Sequence, residues 1–128
     1  MARRVLMIDD KNPYLNATHI DDDVSIYPGG SAPNLISIKG NAEILVGADV
    51  PNLKIIEGKA LLYIDANVPK LEIINGRAKI YEGVNAPNLN TIKGNAEIRG
   101  NVTIPKLKSI KGNAYIYEGV NVPELRFI

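Results

Sequence analysis

The residues that could do chemistry in this chain are few. His19 is its single histidine and cysteine is absent, so a thiol nucleophile and a Cys-ligated zinc are both excluded. A catalytic histidine needs a nucleophile, an acid or a substrate-binding loop beside it. No such Ser/Asp arrangement and no cofactor loop lies around His19 in the sequence. We therefore expect no catalytic residue and interpret His19 as a partly exposed strand or turn residue.

An acidic run, Asp21-Asp22-Asp23, follows His19 closely. Carboxylate oxygens at a turn are the ligands that Ca²⁺ prefers. Three consecutive carboxylates cannot all point at one ion, however, and no further acidic cluster is assured nearby. We interpret the run as a solvated acidic corner and expect neither a metal ion nor a cofactor.

The elements that position these residues follow from an 18-residue repeat without insertions. Each copy begins with proline, counted here as position 0: Pro33, Pro51, Pro69, Pro87, Pro105 and Pro123. Leucine follows at position 2, isoleucine at 5, glycine at 7 and alanine at 9, and further apolar residues occupy positions 11, 15 and 17. The same frame extends backwards to a copy that begins near Leu15, and then to a partial strand over residues 4–8.

The apolar positions 9, 11, 15 and 17 alternate with period two, which is typical of strands and not of helices. Glycine at position 7, and Gly, Asp or Asn at position 14, place residues that tolerate positive φ at the corners. One coil has no second layer to pack against, so neighbouring coils must bury its inward side chains.

The sequence therefore predicts an all-β, single-domain β-solenoid (a parallel β-helix) of about six coils. A partial rung or cap occupies residues 1–14. The predicted coils are residues 15–32, 33–50, 51–68, 69–86, 87–104 and 105–122, with a partial coil over 123–128.

Residues 92–104, Ile-Lys-Gly-Asn-Ala-Glu-Ile-Arg-Gly-Asn-Val-Thr-Ile, resemble the hexapeptide repeat of left-handed β-helices, which implies a left-handed coil. The third side of each copy, Val-Pro-x-Leu-x-x, departs from that pattern. The form Pro-x-Leu-x-x-Ile-x-Gly also resembles short leucine-rich-type repeats of uncharacterised bacterial and phage proteins. An uninterrupted coil of this length is similar to bactofilins, which polymerise end to end. These likenesses imply an architecture and not an activity.

Positions 10 and 12 are expected to point outward, because positions 9 and 11 point inward. Most of the tyrosines fall at these two positions. Tyrosine and arginine often anchor interfaces, although an aromatic ladder also stabilises a sheet without any partner. We predict a binding face formed by Tyr27, Leu45, Leu61, Tyr63, Tyr81, Arg99, Tyr115 and Tyr117.

The sequence ends at Phe127-Ile128, part-way round a coil and without a polar capping segment. An uncapped coil exposes apolar surface and backbone hydrogen-bonding groups. We expect a homodimer formed through this end, with Leu125, Phe127 and Ile128 at the contact.

These features predict a non-enzymatic protein-binding module, and the likeness to phage repeats implies an inhibitor of a host protein. The alternative is a self-assembling scaffold in the manner of bactofilins. A third hypothesis, an acyltransferase-type enzyme, comes from the hexapeptide resemblance and would depend on His19.

The net charge and the lengths of the apolar runs limit the classes of partner and the cellular location that we expect. A net charge of +1 lacks the basic excess of a nucleic-acid binder, so we expect no nucleic acid. The apolar runs are too short for a secretory signal or a membrane span, so we expect no membrane partner. The absence of cysteine fits a cytoplasmic location, which would be the host cytoplasm for a phage protein.

Overall fold

The chain forms a parallel β-solenoid in which two sheets lie on different sides of the coil. The computed structural model describes the backbone of residues 5–8 and all of residues 16–126. Among these residues the first sheet has seven strands: β1 (Val5–Ile8), β3 (Asp23–Ile26), β5 (Ala42–Ile44), β7 (Ala60–Leu62), β9 (Ala78–Ile80), β11 (Ala96–Ile98) and β13 (Ala114–Ile116). The second has six: β2 (His19–Ile20), β4 (Ser37–Ile38), β6 (Ile55–Ile56), β8 (Ile73–Ile74), β10 (Thr91–Ile92) and β12 (Ser109–Ile110).

Every strand pairs in parallel with the equivalent strand of the next coil. Ile44 lies opposite Leu62, and Leu62 lies opposite Ile80. Equivalent positions therefore form straight columns along the solenoid axis. β1 keeps the same register, with Leu6 opposite Val24, so the partial strand predicted near residue 4 is present. The predicted all-β solenoid is confirmed.

The third side of the coil has isolated bridges in place of regular strands. They occur at position 16, where Asp49 pairs with Asn67 and Asn67 with Asn85. The side chains of this column also bond to one another. Asn67 donates to Asp49 at 2.6 Å, and Asn85 donates to Asn67 at 2.7 Å. A polar ladder therefore joins these coils on the outside, parallel to the apolar columns inside.

The core is a stack of six inward positions per coil, namely 2, 5, 9, 11, 15 and 17. In one central coil these are Leu53, Ile56, Ala60, Leu62, Ala66 and Val68, all with no exposed surface. Full burial of a Val, Leu or Ile side chain contributes about 1.5–3 kcal/mol. A coil gains that contribution only when the coils on both sides cover it.

A proline turn opens each copy of the repeat. In one example, the Leu71 N–H donates to the Val68 carbonyl at 3.1 Å, which places Pro69 second in the turn. Proline suits this place because its φ is fixed and its nitrogen has no hydrogen to donate. The turn brings the leucine at position 2 inward, directly after the corner.

A second turn spans positions 12–15, and its third residue is at position 14. The Ala66 N–H donates to the Tyr63 carbonyl at 3.0 Å, and Asp65 between them has a φ of 61°. This is the positive φ that was predicted for position 14. One coil differs, because Gly100 at position 13 adopts the positive φ in place of Asn101.

Glycine at position 7 has a different role from the predicted one. Gly94 does not adopt a positive φ, and a Cβ on it would lie 2.6 Å from the carbonyl oxygen of Gly76. The Gly94 N–H also donates to that carbonyl at 3.2 Å. The same close approach recurs between Gly58 and Gly76. Backbone contact between coils, and not a turn conformation, therefore selects glycine here.

Two details differ from the prediction. The structure has about five turns in place of six coils, and the left-handed coil implied by the hexapeptide pattern is not confirmed. The departure from the hexapeptide pattern lies in the Val-Pro-x-Leu-x-x segment, which runs from the proline turn into the second sheet, because Leu53 at position 2 is buried while Lys54 at position 3 is exposed. Its inward residues therefore have a different spacing from those of the other two sides.

The glycine column gives a test of coil-to-coil packing. We expect Gly94→Ala to lower the free energy of unfolding by about 1–3 kcal/mol, because an added methyl group in a filled space forces the backbones apart. Chemical denaturation measures the change. Gly47→Asn is the matched control, because a Cβ on Gly47 would meet no atom within 4 Å and asparagine tolerates its φ of 68°. Equal losses in both variants would contradict the packing explanation.

Candidate functional site

The predicted binding face lies on the outer side of the first sheet, and the structure brings all eight predicted residues to it. Position 10 is the middle residue of strands such as β7, where Leu61 lies between the inward Ala60 and Leu62. Position 12 follows the end of each strand and begins the turn at the corner. We call this surface the tyrosine face: Tyr27, Leu45, Leu61, Tyr63, Tyr81, Arg99, Tyr115 and Tyr117.

Exposure is uneven along the tyrosine face. Tyr115 and Tyr117, at 55% and 46% exposed, are the most open of its aromatic residues, and Tyr27 is 38% exposed. Tyr63 and Tyr81 are half-buried. The middle of the face is therefore closed by its own ring contacts, whereas the aromatic groups at its two ends are open.

The position 12 column is held together by ring contacts. The rings of Tyr63 and Tyr81 are stacked, with centroids 5.3 Å apart and planes 9° apart. This geometry follows from the register, because equivalent residues of adjacent strands lie about 4.8 Å apart. Partial burial, together with the nearby Glu43 and Tyr81, raises the pKa of the Tyr63 phenol.

Arg99 joins the two outward columns near the other end of the face. Its guanidinium carbon lies 4.8 Å from the centroid of the Tyr117 ring, a cation–π geometry. Its Nε also lies 3.0 Å from Oε2 of Glu97 at position 10. The hydrogen bond to Glu97 raises the pKa of the Arg99 guanidinium. Arg99 is thus fixed in orientation while its side chain stays open to solvent.

Two exposed apolar residues that the sequence analysis missed extend this face round the corner. Val46 is 48% exposed and Ile64 is 45% exposed, and both stand at position 13, directly after the tyrosine face. The same column carries Glu82 and Glu118 further along. The apolar character is therefore concentrated in the earlier coils. The signal was present in the sequence as a β-branched residue at a corner position that elsewhere is proline, glutamate or glycine.

The other candidate residues have ordinary structural partners. His19 is exposed, and its Nδ1 lies 2.6 Å from Oγ of Ser37 on the next coil. Asp23 accepts a hydrogen bond from the Asn41 N–H at 2.8 Å. Across residues 16–126, no group of three or more His, Asp or Glu side chains is placed to hold a metal ion. The described part of the chain also contains no helix of a length and hydropathy that would cross a bilayer.

The predicted oligomerisation residues are described only in part. Leu125 is half-buried and packs against the core of the last coil. Phe127 and Ile128 lie outside the described residues. The predicted contact through this end therefore stays a prediction.

Comparisons with known proteins add no family or function. No protein-family model, curated protein or solved structure matches the chain. The resemblances to hexapeptide helices, phage repeats and bactofilins thus rest on the repeat pattern alone.

The stacked pair gives a test of how the face is organised. We expect a double-mutant cycle with Tyr63→Ala and Tyr81→Ala to give a coupling of about 0.5–1.5 kcal/mol in the free energy of unfolding, because the two rings stack. The control cycle uses Tyr27→Ala and Tyr63→Ala, whose rings are separated by Leu45 in the column. Equal coupling in the two cycles would rule out a specific contribution of the stack.

Proposed function

We propose that the chain is a non-enzymatic protein-binding module that engages its partner through the tyrosine face. The observation that carries this proposal is an aromatic and apolar strip that continues from Tyr27 round the corner to Val46 and Ile64. Aromatic residues and arginine bury much area with little loss of rotamer freedom, which suits them to interfaces. A contiguous exposed apolar strip is also unusual on a surface that faces only water.

The arrangement of the face supports a partner that makes a broad contact. Straight columns about 4.8 Å apart along the axis form an extended surface. Arg99 adds a positive group whose orientation is fixed by Glu97 and Tyr117. Such a surface suits a flat protein partner better than a small molecule, which needs a concave pocket.

The finer statement, inhibition of a host protein by a phage product in the host cytoplasm, is part of the proposal. It rests on the likeness of Pro-x-Leu-x-x-Ile-x-Gly to phage repeats. Inhibition of a host protein requires that the captured partner is a host protein, so identification of the partner tests this statement.

Affinity capture tests the tyrosine face. Immobilised native chain, a folded Tyr63→Ser/Tyr81→Ser variant and a Lys54→Ser/Lys108→Ser control are incubated with bacterial lysate, and the bound proteins are identified by mass spectrometry. We expect one partner to bind the native chain and the lysine control and to be lost from the tyrosine variant. The lysines are exposed at position 3, on the side of the second sheet. A partner retained equally by all three chains would place the contact elsewhere.

Self-assembly is the second candidate function, and the last described coil favours it. Its apolar residues are only partly buried and pack against the core from one side: Ala114, Ile116, Val120, Val122 and Leu125. A second copy stacked on this coil would cover them, as each interior coil covers its neighbour. A homodimer formed in this way matches the predicted contact.

The mass in solution separates the two candidates. If the last coil forms a homodimer, the native chain sediments with twice the mass of the chain, and Leu125→Ser reduces the mass to that of a monomer. The Tyr63→Ser/Tyr81→Ser variant is the control and keeps the mass of the native chain. A native chain that is monomeric at tens of micromolar would eliminate self-assembly through this end.

A further inference from the structure

The corner at position 8 is closed by the same hydrogen bond in several coils. A side-chain oxygen at this position accepts from the backbone N–H of the equivalent residue in the next coil. Asp23 accepts from Asn41, Asn41 from Lys59 and Asn95 from Asn113, each at 2.8 Å. The Asp or Asn side chain thus provides an acceptor for a backbone N–H group that lies outside both sheets.

Two coils in the middle of the stack break this pattern. Position 8 is occupied there by Lys59 and Arg77, whose side chains have donors and no acceptor. The next residues in the column are Arg77 and Asn95. Within residues 16–126 their backbone N–H groups accordingly have no protein acceptor, whereas the N–H groups of Lys59 and Asn113 do.

Positive charge collects at the same corner. Lys59 and Arg77 are exposed, and Lys79 stands on the neighbouring position 10 column. None of these three cations forms an ion pair with the described part of the chain. A groove of about 340 Å³ runs beside two of these cations, Arg77 and Lys79, and its other lining residues are Ala78, Asn95, Ala96, Glu97 and Tyr115. Glu97 is the one carboxylate in that lining, and its charge is offset by the ion pair with Arg99.

We propose that this corner is a binding site for an oxyanion, such as a phosphate group. One oxygen of the anion takes the place that an Asn or Asp side-chain oxygen occupies in the other coils and accepts from the Asn95 N–H. The guanidinium of Arg77 and the ammonium of Lys79 balance its charge. Backbone N–H groups combined with a guanidinium are a common donor set for anions, because charge-assisted hydrogen bonds are the strong ones. This site adjoins the tyrosine face at Tyr115, but it uses different residues to bind its ligand and does not depend on the proposed function.

Amide resonances of the labelled chain test the site directly. Inorganic phosphate is titrated at constant ionic strength against sodium chloride. We expect the Asn95 amide to shift and saturate, with a smaller shift at Arg77. The amides of Lys59 and Asn113 serve as internal controls, because protein side chains already accept from them. The absence of a saturable shift at Asn95 would overturn the proposal.

A matched pair of variants distinguishes the contribution of the Asn95 N–H to phosphate binding from that of the positive charge on Arg77. Arg77→Asn supplies the oxygen that closes this corner in other coils, so we expect the phosphate-dependent shift at Asn95 to disappear and the melting temperature to rise. Arg77→Leu removes the charge and offers no acceptor to the Asn95 N–H, so we expect the shift at Asn95 to persist and phosphate to bind about tenfold more weakly. Binding unchanged by Arg77→Asn would overturn the site even though the fold is intact.

Acetate distinguishes the kind of oxyanion that is recognised. A shift saturated by phosphate alone identifies a phosphate site. A shift saturated by both anions identifies a general oxyanion site that an acidic side chain of another protein could also occupy. Both outcomes support the proposal, and loss of capture by the tyrosine variants has no bearing on either.

Discussion

A coil of this chain has no second layer of structure, so its inward side chains are buried only by the coils above and below. That dependence requires every coil to keep the same register, because a shift of one residue would turn Leu62 and its column outward. The outer contacts obey the same requirement. The approach of Gly94 to Gly76 and the bond from Asn67 to Asp49 form only when equivalent residues lie directly above one another.

The constant register also determines the form of the surface. Each outward position becomes a column, so one residue type repeated in the sequence becomes a continuous stripe on the molecule. The rings of Tyr63 and Tyr81 stack for this reason, with no special geometry of their own. A different residue type at one place in a column likewise changes the surface at that place. Lys59 and Arg77 interrupt a row of Asp and Asn side chains and so change the chemistry of one corner without changing the backbone.

Much of the fold was predictable because the signals that define it are local. Apolar alternation indicated the strands, and a fixed period indicated which strands pair. Other properties depend on how neighbouring coils meet, which one copy of the repeat does not encode. The role of Gly94, the handedness of the coil and the half-burial of Tyr63 are of this kind. The exposure of Val46 and Ile64 depended on the course of the chain round the corner, which alternation alone does not describe.

Because the period is uniformly 18 residues, the number of copies can change without a change in the fold of each coil. Removal of one whole copy, for example residues 51–68, would bring Pro69 into the place of Pro51 with every inward column still aligned. Gain or loss of a copy during evolution therefore changes the extent of each surface column and leaves the cross-section of the solenoid as it was. Copy number, more than substitution in the core, is then the simplest route by which such a chain could match a partner of different size.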